Sequence, residues 1–469
     1  MSRSLEKLRP YLPPGMVTFY RKPLIIERGH MQYLWDSEGN RYLDMLGGIV
    51  TVSVGHCHPK VNAALKEQID KLWHTTSIYW TTPMFEYAEK LTSTLPEHLK
   101  VCFYTNSGSE ANDLALTLAR LHTGRYDLLS VRNSYHGLTQ TVMGASNSPQ
   151  YKQPLPAGFG ILKTALPDPY RGPWGGPKCR DTPFHSRNNK RVCPCHGGNE
   201  CQARDEYLRD LNNTLDYDFP KSTGPAALIV ESIQGVGGTV QYPKGWLKGA
   251  FDSVRQRGGL CISDEVQTGF GRLGSHFWGF ASQDAIPDIV TAAKGIANGF
   301  PMGMVVTTQE IANSLTTALY FNTFGGNPLA ATVGKAVLEV IEDEKLQDNS
   351  AAVGTYFMEQ LSKIDSLLIG DIRGKGLMIG VELVEEGEYQ NGRYVLLKKL
   401  PPPPPLQPER MARIFERIKD QGVLVGRGGV TSNVLRLKPP MCVTKADVDK
   451  CVDAIESSLI MEEKMGPKK

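Results

Sequence analysis

Several absences narrow the chemistry of this chain before any motif is weighed. It contains no G-x-x-x-x-G-K-[ST] stretch, so the acid pair Asp264-Glu265, which follows the apolar run Leu260-Cys261-Ile262, is not the magnesium-binding end of a P-loop nucleotide site. No apolar run approaches the ~20 residues that a membrane helix needs. Neither sign of charge dominates. With 52 Lys and Arg against 49 Asp and Glu, the net charge of +3 implies no nucleic-acid surface and no strong membrane attraction. Nor is there a disulfide framework: nine cysteines, an odd number scattered over 469 residues, fit a reducing compartment better. The first residues, MSRSLEKLRPYLPPG, lack the apolar core of a secretory signal. Arg3, Lys7 and Arg9 hint at a targeting peptide, whereas Glu6 and the shortness of the segment argue against a complete one.

What is present is an ordinary globular composition, 41% hydrophobic and 22% charged, in a chain long enough for two or three structural units. Met31–Trp35 and Arg41–Met45 flank a Gly-Asn turn and read as a hairpin. His56-Cys57-His58 has two metal-ligand types, but no further ligand cluster lies nearby; it reads as a loop opening a helix from Val61 to Leu72. From Val101 onward strands alternate with helices, the pattern of an α/β unit on a largely parallel sheet. The predicted strands include 101–105, 128–131, 226–230, 260–262 and 289–293. A predicted helix carries Leu114, Leu118 and Leu121 at helical spacing, and another carries Leu247, Ala250, Phe251 and Val254. Past residue 345, short strands (379–383, 423–425, 434–438) and amphipathic helices such as 409–420 read as a smaller unit, interrupted by the stiff run Pro401–Pro405.

The chemistry concentrates between Cys261 and Gly303. Asp264 follows one buried-strand pattern, and Lys294 follows a second, Ile289–Ala293, with Gly295 directly after it. An amine and a carboxylate at neighbouring strand ends suit pyridoxal phosphate. That cofactor needs a lysine for its Schiff base and an acid to keep its pyridine nitrogen protonated. The bland reading of a lysine near a strand end is a solvated surface residue, and corroboration must come from elsewhere. Ser107 and Glu110 form an S-x-x-E capping box that opens a helix after the first strand; beside a cofactor lysine, such a helix start becomes a phosphate cup. Tyr135, in Tyr135-His136-Gly137, could stack on a flat ring, although a loop tyrosine is the default. Gly269, Gly271 and Gly274 spell a dinucleotide fingerprint, but without a strand directly before them or an acid about 20 positions later.

Taken in order, NSGSEAN, YHG, ESIQG, DEVQTGFGR, AAKGIANGFPMG and NTFGGNP resemble the class III aminotransferases from about residue 30 to the C-terminus. Within the class, GIVTVSVGHCHPKVN, RGPWGG, QYPKGWL, SHFWGF and LVGRG resemble members that exchange alanine with glyoxylate. The resemblance implies pyridoxal-phosphate fold type I, an α/β architecture with a mostly parallel seven-stranded sheet plus a smaller α+β domain. The division it implies is 1–65 as an N-terminal segment contributing to the small domain, 66–345 as the large cofactor-binding domain with a Cys/Gly-rich insertion at 170–205, and 346–469 as the small domain. It also implies a homodimer or homotetramer with shared active sites, small amino and oxo acids as substrates, and a mitochondrial setting. Carried over motif by motif, Lys294 bonds the cofactor, Asp264 pairs with the pyridine nitrogen and Ser107 and Gly108 hold the phosphate. Tyr135 stacks on the ring, Glu231 belongs to the cofactor site and Gln267 reaches the phenolic oxygen. Thr323 is expected to bind the phosphate of a neighbouring subunit's cofactor. The roles of Gln267 and Thr323 could not be read from the residues alone.

The same resemblance points to Arg436 as the two-pronged anchor for a substrate carboxylate. Class members that also accept ω-amines cover this arginine with a glutamate just after E-x-I-Q-G; here that position is Val236, which cannot pair with it. The expected activity is therefore ping-pong transfer from alanine or a related amino acid to glyoxylate or pyruvate. Rivals on the same fold are ω-amino-acid aminotransferases, including 3-aminoisobutyrate, and phospho-lyases. A non-enzyme rival, a zinc-dependent interaction module on a dead scaffold, conflicts with intact Lys294 and Asp264. One segment departs from the class: Cys179, Cys193, Cys195, His196 and Cys201 lie within 23 positions. They could hold zinc, but the C-x-C spacing is tighter than usual and Gly/Pro-rich loops carry incidental cysteines, so no metal is expected.

Overall fold

The computed structural model describes residues 9–16, 18–156, 158–193, 201–390, 393–396 and 402–465. Strands are β1 Ile26–His30, β2 Tyr33–Asp36, β3 Arg41–Asp44, β4 Val101–Thr105, β5 Leu128–Val131, β6 Ile161–Thr164, β7 Ala227–Glu231, β8 Leu260–Asp264, β9 Ile289–Ala293, β10 Gly303–Thr307, β11 Ile369–Lys375, β12 Met378–Leu383, β13 Gly387–Gln390, β14 Arg393–Leu396, β15 Val423–Leu424, β16 Gly426–Gly428 and β17 Val434–Leu437. Helices of ten or more residues are α1 Pro59–Ile69, α2 Thr82–Thr92, α3 Gly108–Thr123, α4 Gln202–Tyr217, α5 Trp246–Gln256, α6 Pro328–Asp343, α7 Leu346–Lys363, α8 Pro408–Asp420 and α9 Lys445–Met465.

The central sheet has seven strands in the order β4-β10-β9-β8-β7-β5-β6. All neighbours in it are parallel except β10, which runs against both β4 and β9. Side chains alternate across it. Leu128, Ile229, Ile262, Ile289 and Val305 face α3, while Leu129, Leu228, Cys261, Val290 and Met304 belong to the core on the other face. A strand covered on both faces reads as a continuous apolar run, which is why these segments were visible as strands. The predicted stripe on α3 was slightly misplaced. Leu121 is 47% exposed, and Ala111, Ala115, Leu118 and Ala119 make the buried face, because small residues let the helix lie close to the sheet.

The two ends of the chain meet in a second sheet, β1-β2-β3-β15, where Val423 and Leu424 pair in parallel with Leu43 and Asp44. A third sheet, β11-β12-β17-β16, carries Arg436 in β17. His56 and His58 do not converge: Nε2 of the first meets Asp44 at 2.8 Å, and Nε2 of the second meets Glu344 at 3.2 Å. The glycines of the false dinucleotide fingerprint are spent on close packing. Gly271 and Gly274, at φ +76° and +75°, lie against Gln347 and Ala351 of α7.

Candidate active site

Parallel strands place their C-terminal ends on one edge of the sheet, and ligands bind in the crevice outside that edge. Five strand ends deliver the predicted residues there: Thr105 precedes Ser107, Val131 precedes Tyr135, Glu231 ends β7, Asp264 ends β8, and Lys294 directly follows β9. Glu231 and Asp264 are register partners, and Asp264 pairs in register with Thr291 of β9. A cavity of 140 Å³ lies at this edge, lined by Gly108, Ser109, Asn112, Tyr135, His136, Gly137, Glu231, Asp264, Val266, Gln267 and Lys294. A wider groove of 640 Å³ beside Lys22 and Asp36 brings no such reactive set together.

Lys294 leaves β9 with φ +52°, an uncommon conformation for a side-chain-bearing residue and one often found at functional positions. Its side chain keeps part of its surface open to the cavity, yet burial of the amine pulls its pKa from 10.5 down to about 8. Asp264 and Glu231 oppose that fall and Arg436 adds to it, which also places the arginine within electrostatic reach. Asp264 is buried and held by His136 Nδ1 at 2.7 Å and Asn112 Nδ2 at 2.8 Å, both on Oδ2. The Val266 N–H donates to the other oxygen at 3.1 Å. The Asn112 carbonyl oxygen in turn accepts from Thr291 Oγ1 at 2.6 Å. Glu265 turns the other way, accepting from Ser232, Thr268 and the N–H groups of Gly279 and Phe280; it is a structural carboxylate.

The expected capping box is formed in half: Ser107 Oγ accepts from Glu110 N at 3.2 Å, while Glu110 Oε2 accepts from the N–H of Asn106, the residue before the cap, at 2.5 Å. The Ser107 hydroxyl hydrogen and the first N–H groups of α3 remain as donors for an anion. Gly108 is closely packed, since a Cβ there would meet Val266 at 3.1 Å. Tyr135 packs edge-on against Tyr151, with ring centroids 4.8 Å apart, and its N–H donates to Glu231 at 3.0 Å. Burial raises the Glu231 pKa despite N–H donors from Tyr135 and Gly235. Thr323 is exposed and lies outside the lining of this cavity.

Sequence reasoning missed Lys438. Fully buried, its amine reaches Gln267 Oε1 and the Gly235 carbonyl, both at 3.3 Å, and burial holds its pKa well below 10.5. With its amide oxygen taken by the lysine amine, Gln267, which lines the cavity, keeps its NH₂ to donate elsewhere. His136 and Asn112 lie within the YHG and NSGSEAN motifs, and nothing in their spacing marks them as the partners of Asp264. Arg436 is 4% exposed, and its Nε and Nη2 are buried with no hydrogen-bond partner among the described residues. Buried arginines are ordinarily paired, yet no carboxylate of the described residues is recorded in an ion pair or hydrogen bond with this one. Buried donors without partners are costly, and this pair suits an anionic ligand. Altogether, an amine of lowered pKa, a fixed carboxylate, a helix start and an amide side chain in the cavity lining match what pyridoxal phosphate requires.

The match extends to the whole chain. The class-III aminotransferase family model covers residues 17–459, and the chain belongs to that family. It is 51% identical over 461 residues, 98% of this chain and 86% of the relative, to alanine–glyoxylate aminotransferase 2, mitochondrial, from Homo sapiens. Among solved structures, an Arthrobacter phospholyase in complex with phosphoethanolamine is 30% identical with a TM-score of 0.83, over 97% of this chain and 99% of that one. An amine transaminase from an uncultivated Pseudomonas species, in its PLP-bound form, is 30% identical with a TM-score of 0.80, over 94% and 95% of the two chains.

Proposed function

We propose that this aminotransferase moves the amino group of alanine, or a closely related amino acid, to glyoxylate or pyruvate, with pyridoxal phosphate held by Lys294. The observation that carries the substrate reading is the buried guanidinium of Arg436, its Nε and Nη2 without a partner among the described residues, beside a loop whose Val236 offers no charge to cover it. The 51% identity to a relative named for alanine and glyoxylate supports the same choice, and that relative's name supports a mitochondrial location.

Bound pyridoxal phosphate supplies the electron sink that makes a carbanion beside the amine accessible. The protein's part follows from its own groups. Ser107, Gly108 and the start of α3 would hold its phosphate, and Tyr135 would pack against its ring. Asp264, fixed by His136 and Asn112, keeps a negative charge at the pyridine nitrogen. Gln267, turned by Lys438, donates to the phenolic oxygen, and Glu231 holds the Tyr135 loop through its N–H. Arg436 orients the substrate by its carboxylate. Lys294 Nζ then takes the proton from the carbon bearing the amino group; with a pKa near 8 a useful fraction is neutral at mildly alkaline pH. The second substrate reverses these roles in the same cavity, so the kinetics are ping-pong.

A homodimer or homotetramer with shared sites accompanies this reading. Ile78, Tyr79, Trp80, Leu319, Phe321 and Phe324 are all more than half exposed, and Thr323 lies among them. A covering second copy would place Thr323 against the neighbouring cofactor's phosphate. The deciding experiment is a donor panel (alanine, 3-aminoisobutyrate, ornithine, phosphoethanolamine) against glyoxylate and pyruvate with the purified holoenzyme. Alanine with glyoxylate is expected to give the highest kcat/KM. Phosphate release from phosphoethanolamine, or a preference for an ω-amine, would overturn the substrate reading while leaving the family untouched.

A further inference from the structure

Cys179, Cys193 and Cys201 come from three separate stretches, yet their sulfurs lie within 4.8 Å of one another. Cys179 ends the short turn Pro177–Cys179, Cys193 follows Arg191, and Cys201 is the residue on which α4 begins. Cys179 and Cys201 are buried and Cys193 is half-buried. Four thiolates bonded to one zinc at ~2.3 Å stand roughly 3.8 Å apart, a separation small side-chain rotations reach from here.

The surrounding backbone brings these stretches together. A Cβ on Gly176 would meet Arg191 O at 3.0 Å and Cys193 N at 3.1 Å, so the two segments pass in backbone contact. The Cys179 carbonyl accepts from Lys244 N at 2.8 Å. Tyr207 of α4 donates to the Asp168 and Trp174 carbonyls at 2.9 and 3.1 Å, tying the helix to the same excursion. At Cys201 the start of α4 presents its N–H groups and positive dipole end, which favour a thiolate over a thiol. Soft thiolates in a chain read as belonging to a reducing compartment select zinc over magnesium or calcium.

We propose that Cys179, Cys193 and Cys201 bind a structural zinc ion. None of the three lines the Lys294 cavity, so the ion has no part in transamination. It fastens residues 177–193 to the start of α4, and with them Arg180 and Asn189, whose side chains meet the buried Asp371 of β11 at 2.7 and 2.8 Å. Asp371 in turn holds Arg373, which donates to the Gly238 carbonyl at 2.9 Å in the loop that carries Val236. Zinc thus braces the wall of the substrate side from a distance. A fourth donor is required. Between Cys193 and Cys201 the sequence offers Cys195, His196 and Glu200; they lie outside the described residues, and the proposal rests on the three thiols.

The test uses holoenzyme produced in zinc-supplemented medium and purified without chelator. Metal analysis should find about one zinc per chain, released stoichiometrically when a mercurial reagent blocks the thiols. Cys193→Ser, at the half-buried position, should lose at least tenfold of the zinc while keeping the bound-cofactor absorbance. Cys57→Ser, at an exposed cysteine elsewhere, should keep its zinc. Four results overturn the proposal: metal-free protein whose thiols all titrate after unfolding; a mass about two units low per chain from a disulfide in the cluster; iron in place of zinc; or full zinc in Cys193→Ser. Should that variant fail to fold, wild-type stoichiometry and mercurial release decide alone.

Discussion

At Lys294, burial and charge pull in opposite directions, and burial wins. Its amine titrates near 8 in the folded, cofactor-free protein against an ordinary 10.5. Between those values the unfolded chain binds more protons, so this group makes stability rise with pH across that window. Its penalty is fully present below pH 8, worth roughly 3 kcal/mol by the shift, and is gone above about 10.5. Cofactor-free Lys294→Met should therefore melt higher than wild type at pH 7, and the gap should close toward pH 10. Thermal melts that stay parallel would show that the amine is not depressed. In catalysis the same variant should lose nearly all turnover. Asp264→Asn keeps the hydrogen-bonding shape but removes the charge, and should lower kcat at least ~100-fold, or about 3 kcal/mol of barrier. An unchanged kcat would remove Asp264 from the mechanism. Arg436→Lys keeps the charge and loses the fork. It should raise KM for alanine and glyoxylate roughly tenfold or more while leaving the cofactor spectrum intact; unaffected kinetics would mean the carboxylate is anchored elsewhere.

Among elements, α3 carries the most consequence. Its start was legible because capping is local chemistry: Ser107 and Glu110 lie three apart, and the bonds they make involve only Asn106 to Glu110. Its packing face was not legible, because which side of a helix meets a sheet depends on where the sheet is; Leu121 kept the spacing and still ended exposed. Ser107→Ala removes the cap and should cost about 1 kcal/mol of stability. It should also weaken pyridoxal phosphate binding several-fold by equilibrium titration, beyond what the stability loss explains. If affinity is unchanged, the hydroxyl is a cap only and the phosphate is held by N–H groups alone.

On the scale of the molecule, one face remains apolar and open. Trp80 at 79% exposure and Phe321 at 56% are too large and too numerous beside their neighbours to be solvent-facing by chance. Trp80→Glu with Phe321→Glu should shift the enzyme toward monomer in light scattering and lower both cofactor affinity and turnover, since Thr323 shares that face. A fully active monomer would sink the shared-site arrangement.

Local and periodic features were settled by the sequence itself: strand runs buried on two faces, the capping box, the amine and acid at successive strand ends. Motif order was enough to point to the family. Tertiary structure alone decided what depends on segments far apart in the chain. It set Gln267's orientation through Lys438, 171 residues away, and joined Asp264 to His136 across 128 positions. It left Arg436 without an acid among the described residues and gathered three cysteines that spacing had made look incidental. The reason is physical: a side chain's partner is chosen by the folded path of the backbone, and sequence spacing records that path only within a helix turn or a strand.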